Sequence, residues 1–228
     1  MQQDTRLAAL IEAEARGMAL LDAIEAEGLI AAGRDEHDIE RDIFALARDR
    51  FGVKQHWHKR IVRSGPNTLC IAVEDPPVRV IGADDTVFLD LGPVFEDWEA
   101  DVGRSYAVGP DPDKHRLCRD LPDVFDRLKA RFDADPDLTG AGLYQFAHQC
   151  AEELGWLFGG KIAGHIVGEF PHARLPGVRD HYRISADNPT RLRDPDATGQ
   201  TKFWILEVHL TDRARTFGGF YERLLVPG

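Results

Sequence analysis

The amino-acid sequence predicts an α+β protein of two like halves, each with two helices followed by antiparallel strands. Three observations predict it. Apolar residues recur at helical spacing in two pairs of segments, 5–27 with 36–50 and 112–133 with 139–154. Each pair is followed by short apolar segments of strand character. Each half also contains a stretch in which two acidic residues sit among apolar ones at hairpin spacing. No sequence repeat relates the halves, so the expected pseudo-twofold rests on element order. Residues 1–228 are expected to form one domain.

The first helix, Thr5–Glu27, places Leu7, Leu10, Ile11, Met18, Leu21 and Ile24 on one face. Gly28 and Gly33 bracket the break that follows. Glu36–Arg50 reads as a second helix with a charged, solvated face, ended by Gly52. Strands are expected at Lys59–Arg63, Asn67–Ala72, Thr86–Leu91 and Asp101–Val108. A third helix begins at Pro112 with Asp111 as N-cap, because a missing N–H costs nothing in the first turn. Thr139 caps the fourth. The chain closes with strands at Thr201–Thr211 and Phe217–Val226, and segments 64–82 and 171–200 are expected to loop over the site.

The acidic residues carry the functional reading. A turn at Phe95-Glu96 would set Asp90 opposite Asp101, with Trp98 across from Pro93. A turn within Asp212–Thr216 would set Glu207 opposite Glu222. Opposed side chains have Cβ atoms about 5 Å apart, and like charges there are destabilising. Two such pairs in apolar strands imply a cation between them. The net charge of -11 argues against a nucleic-acid partner. Four carboxylates matched by two divalent cations would account for part of it.

Cys70, Cys118 and Cys150 form no CxxC and read as reduced, structural thiols. The N-terminus shows no signal pattern, and no apolar run approaches the roughly 20 residues that span a bilayer. These features predict a cytoplasmic protein with no membrane partner. The first helix leaves a face that a second copy could cover, so a homodimer is one assembly the pattern allows.

Between the acidic pairs lies Gly164-His165-Ile-Val-Gly168-Glu-Phe-Pro-His172. Glycines beside a histidine let backbone and metal approach closely. Asp90, Asp101, His165, Glu207 and Glu222, in that order, resemble the ligands of the pita-bread metallopeptidases: methionine aminopeptidase, proline-specific aminopeptidase, prolidase and creatinase. Ser64-Gly-Pro-Asn67 resembles the segment leading into the substrate site of the proline-specific members. The resemblance implies a pita-bread fold and two divalent metal ions, with Mn first and Fe, Co or Zn as alternatives. It implies Asp90 as a bidentate ligand of one ion, Asp101 and Glu222 as bridges, and His165 and Glu207 completing the other shell. It further implies that Glu207 shuttles a proton and that His172 binds substrate and stabilises the transition state.

The chain departs from that family pattern at two places. The position of the usual rim histidine is Ala72, and none of Leu69–Val73 is histidine. Where peptidases have Glu-Pro, this chain has Glu207-Val-His209. Strand alternation puts His209 on the face of Glu207, where it would take over part of the catalytic role. His56-Trp57-His58 offers His58 to the substrate pocket, and Trp98 offers a second wall; packing is the plainer role for a tryptophan. The expected activity is peptide hydrolysis on short aminopeptidase or Xaa-Pro substrates. Creatinase-like C–N hydrolysis, a lyase acting on a small metabolite, and a catalytically silent binding module are the alternatives.

Overall fold

The computed structural model describes residues 2–171 and 176–226. Helices α1 (Gln2–Ala26) and α2 (Glu36–Phe51) precede strands β1 (Ile61–Ser64), β2 (Thr86–Leu91), β3 (Val94–Phe95), β4 (Trp98–Glu99) and β5 (Val102–Ala107). Helices α3 (Pro112–Ala134) and α4 (Gly140–Glu153) precede β6 (Leu157–Phe158), β7 (Gly164–Val167), β8 (Phe203–Thr211) and β9 (Gly218–Leu225). The order helix, helix, strands thus occurs twice, as expected.

The caps explain the helix limits. Asp35 accepts from Asp38 N, Asp111 from Asp113 N and Thr139 from Gly142 N. Gly52 ends α2 with φ 68, a conformation that other residues adopt only at a cost.

The antiparallel sheet runs β1-β2-β5-β9-β8-β6, with β7 also on β8. Its strands alternate. On β8, Trp204, Leu206, Val208 and Leu210 join a core with α3 and α4. On β2, Val87, Leu89 and Leu91 join a core with α1 and α2. The helices therefore cover one face, and the period of two leaves Asp90, Glu207 and Glu222 on the other. Glu14 of α1 ties helix to sheet by accepting from Arg223 Nε at 2.8 Å and Leu224 N at 3.1 Å.

The halves meet where β5 and β9 pair, Gly103 opposite Glu222. One step on, Ser105 Oγ donates to Phe220 O at 2.8 Å and accepts from Phe220 N at 2.7 Å. A side chain thereby takes the place of the next ladder bond at the seam.

Three expectations are corrected. Asp90 stands opposite Gly103, not Asp101, because a small hairpin (Phe95 opposite Trp98) turns at Glu96-Asp97. Trp98 therefore faces Phe95 and not Pro93. Residues 67–72 are not a strand: Gly65 has φ 52 and Gly65–Leu69 coils as a 3-10 helix. Glu36, expected on a solvated face, is 5% exposed and accepts from Ser64 N, Ser64 Oγ, Asn67 Nδ2 and Arg79 N at 2.7–3.1 Å. A buried carboxylate persists when its oxygens are this fully hydrogen-bonded.

Candidate metal centre

A row of directly opposed residues crosses four strands on the open face: Asp90 (β2), Gly103 (β5), Glu222 (β9) and Glu207 (β8). The pairing of Glu207 with Glu222 is the one the sequence predicts. Slipping the first hairpin by two residues keeps every side chain on its face, so Asp101 still reaches the row. Gly103 leaves the floor open, since a Cβ there would lie 2.7 Å from the Phe220 ring and 3.0 Å from Glu222 Cβ.

His165 comes from β7. Gly164, with φ 145, allows the approach: a Cβ on it would lie 2.0 Å from Ile205 O. His165 Nδ1 donates to Ile166 O at 2.7 Å. Its Nε2 lies 3.1 Å from Asp101 Oδ2, 3.6 Å from Glu207 Oε1 and 4.0 Å from Glu222 Oε1. All five residues that the resemblance offers as ligands are thus brought together. His58 joins them from the chain before β1, its Nε2 3.3 Å from Asp90 Oδ1 and 3.2 Å from Asp101 Oδ1.

Among the described residues, two groups have ligand atoms within 4.8 Å of one another: His58, Asp90 and Asp101, and Asp101, His165 and Glu222. Asp101 belongs to both. It is 2% exposed, as is Glu222, and Asp90 is 8% exposed. Burial disfavours a charged carboxylate, and burial with Asp101 alongside pushes Asp90 up to about 6. Burial likewise raises Glu207 to about 7 and Glu222 well above the carboxylate range. Burial would also raise Asp101, but hydrogen bonds from His165 and His58 hold it below that range. The histidines mirror this. Burial opposes their charge, yet Asp90 and Asp101 raise His58 to about 10, and Asp101 raises His165 to about 9. Glu222 Oε2 is buried with no hydrogen-bond donor among the described residues. An acceptor left without a donor in an acid-rich, His-containing pocket fits divalent metal.

The other candidate residues fall in different places. His209 is 4% exposed, and its Nε2 donates to Thr68 O at 2.8 Å, between the Phe88 and Phe220 rings. Trp98 packs against two core clusters and bridges to Glu169. His172 lies outside the described residues. Ala72 is exposed and lies in a turn outside the strands. Glu36 was missed as a positioning residue for the Ser64–Asn67 segment. Its signal was faint: one acid in the first turn of a helix rich in acids.

These features define an α+β protein with a candidate metal centre on the open face of its sheet. The chain belongs to metallopeptidase family M24, whose model matches residues 5–197. Among solved structures, recombinant prolidase from Thermococcus sibiricus is similar at TM-score 0.68 and 19% identity, covering 96% of this chain and 57% of that one. X-Pro aminopeptidase from Thermotoga maritima is similar at 0.71 and 20%, covering 98% and 63%. Methionine aminopeptidase from Thermotoga maritima is similar at 0.70 and 16%, covering 98% and 97%. The chain therefore spans less than two thirds of the prolidase and X-Pro aminopeptidase structures and nearly all of the methionine aminopeptidase. At these identities the likeness shows the fold, which is the pita-bread fold. No curated protein sequence matches the chain. Among the described residues no helix is long and apolar enough to cross a membrane, and all three cysteines are free.

Proposed function

We propose that this protein is a dinuclear metal-dependent hydrolase, a peptidase acting on short substrates of the aminopeptidase or Xaa-Pro type. The observation that carries the proposal is Asp101, a buried carboxylate whose two oxygens face two separate ligand groups. One oxygen turned to each side is what a bridge between two cations requires.

Asp90, Asp101, His165, Glu207 and Glu222 would hold the two ions. Bound there, such ions acidify a water and polarise a scissile carbonyl. The chain's own residues do the rest. Glu207 has the most exposed side chain of the four acids, 16% against 11% for Asp90, 3% for Glu222 and 1% for Asp101. It is the acid placed to take a proton from water and hand it to the leaving nitrogen. The apolar walls Ile61, Phe88 and Phe220 beside the row keep bulk water away and strengthen each charge interaction. His172 is the proposed donor to the developing oxyanion.

Ala72 favours a second reading. With alanine in place of histidine at position 72, the substrate amide would lack the donor that peptidases place there, which suits C–N hydrolysis of a small metabolite.

A panel of dipeptides and tripeptides, supplied with Mn²⁺, Co²⁺ or Fe²⁺, tests the first reading through release of the N-terminal residue. Hydrolysis that disappears in Asp101→Ala is the expected result. A protein that binds metal yet cleaves no member of the panel contradicts it and favours the small-metabolite reading.

A further inference from the structure

His58 repeats, on the Asp90 side of Asp101, the arrangement His165 makes on the other side. His58 Nδ1 donates to the carbonyl of the next residue, Lys59, at 2.7 Å, as His165 Nδ1 does to Ile166 at 2.7 Å. A carbonyl only accepts, so both rings carry Nδ1–H and aim Nε2 at the acids. The two Nε2 atoms face different oxygens of one carboxylate, His58 at Asp101 Oδ1 and His165 at Asp101 Oδ2.

The surroundings hold His58 in place. Trp57 stands edge-on to both imidazoles, 4.4 Å from His58 and 5.4 Å from His165 between ring centres. Its Nε1 donates to Ala100 O at 3.2 Å and its backbone N to Gly92 O at 2.9 Å. A Cβ on Gly92 would lie 2.3 Å from His58 Cδ2 and 2.5 Å from both His58 Nε2 and Trp57 Nε1. Glycine at position 92 is what makes room for the imidazole. Ligand atoms about 2.1 Å from a shared ion stand roughly 3 Å from one another. The 3.2 and 3.3 Å separations of His58 Nε2 from Asp101 Oδ1 and Asp90 Oδ1 match that spacing. A ring oriented through one nitrogen by a backbone carbonyl, with the other facing carboxylates, is how proteins set a metal-binding histidine.

We propose that His58 is a ligand of the cation held by Asp90 and Asp101, so that each ion of the centre has its own imidazole. The inference rests on the dinuclear reading above. It also changes the chemistry of that site. A nitrogen donor on the Asp90 side moves that ion's shell away from oxygen-only and toward the preferences of Zn²⁺, Co²⁺ and Fe²⁺.

The test compares wild type, His58→Asn and His58→Ala, loaded with Co²⁺ and measured by calorimetric titration and X-ray absorption. Thermal melting of the metal-free proteins checks that the variants fold. Two ions per wild-type chain, two imidazoles by absorption, and one site weakened at least tenfold in both variants is the expected result. A folded variant that binds both ions with wild-type constants, or a two-ion wild type showing one imidazole, overturns the role of His58 alone. A wild type that binds no ion overturns the dinuclear reading and this proposal together.

Discussion

Glu207 and Glu222 face each other directly across the β8–β9 ladder, and the turn that joins those strands keeps them there. Asp212 organises the turn. Its carboxylate accepts from Ala214 N, Thr216 N, Thr216 Oγ1 and Phe217 N at 2.5–3.2 Å. Burial alone would raise its pKa, but these hydrogen bonds hold it below the usual value.

Asp212→Ala is therefore expected to destabilise the protein by about 1–2 kcal/mol, measured by urea denaturation at pH 7. The pH dependence has a definite sign. A carboxylate with a lowered folded pKa contributes stability above its unfolded value, near 4, and loses it as pH falls through the folded value. The difference between wild type and variant should thus shrink in acid. A constant difference from pH 7 to pH 3 would contradict this.

Gly103 is the floor of the carboxylate row. Gly103→Ala places a methyl 2.7 Å from the Phe220 ring and against Glu222 Cβ. Overpacking of this kind costs about 1–3 kcal/mol. Because the displaced neighbour is a proposed ligand, metal affinity should fall with stability. A variant with wild-type melting and wild-type metal content would show that the row has slack.

Glu36 anchors the 3-10 segment from below. Glu36→Ala leaves Ser64 N, Ser64 Oγ and Arg79 N buried or half-buried without their acceptor. A loss of about 3 kcal/mol or more in chemical denaturation is expected. Faster amide exchange confined to 64–79 would locate the damage there. Unchanged protection in that segment would contradict the assignment.

His209 pins the same segment from above, and Thr68 Oγ1 accepts from Gly218 N at 2.8 Å beside it. His209→Ala is expected to cost about 2–3 kcal/mol by cavity formation and the lost hydrogen bond, with metal content unchanged. A tenfold fall in turnover at unchanged melting temperature would instead assign His209 to catalysis.

The helices were legible because each carries apolar residues at helical spacing, and the third and fourth also announce their starts with caps at Asp111-Pro112 and Thr139. The β8–β9 register was legible for a related reason: a short polar turn, Asp212–Thr216, between two long apolar strands leaves little choice of pairing. The first hairpin slipped by two because Gly92-Pro93 and the small β3–β4 turn lie between its strands, and local sequence does not set that offset. The site survived the slip, since a two-residue shift preserves the face. His58 was legible only as a pocket residue. What brings it to Asp101 is the space above Gly92, 34 residues away in the chain, and no spacing motif records that contact. Residues 67–72 misread as a strand because Gly65's positive φ and the grip of Glu36 override a modest apolar pattern.

The measurement closest to the central claim is metal content per chain by elemental analysis, comparing wild type with Asp101→Ala after equal exposure to Mn²⁺. About two ions in wild type and a marked loss in the variant are predicted, because in the proposed centre one carboxylate would serve both sites. Absence of bound metal in wild type, or equal content in both proteins, would contradict the account.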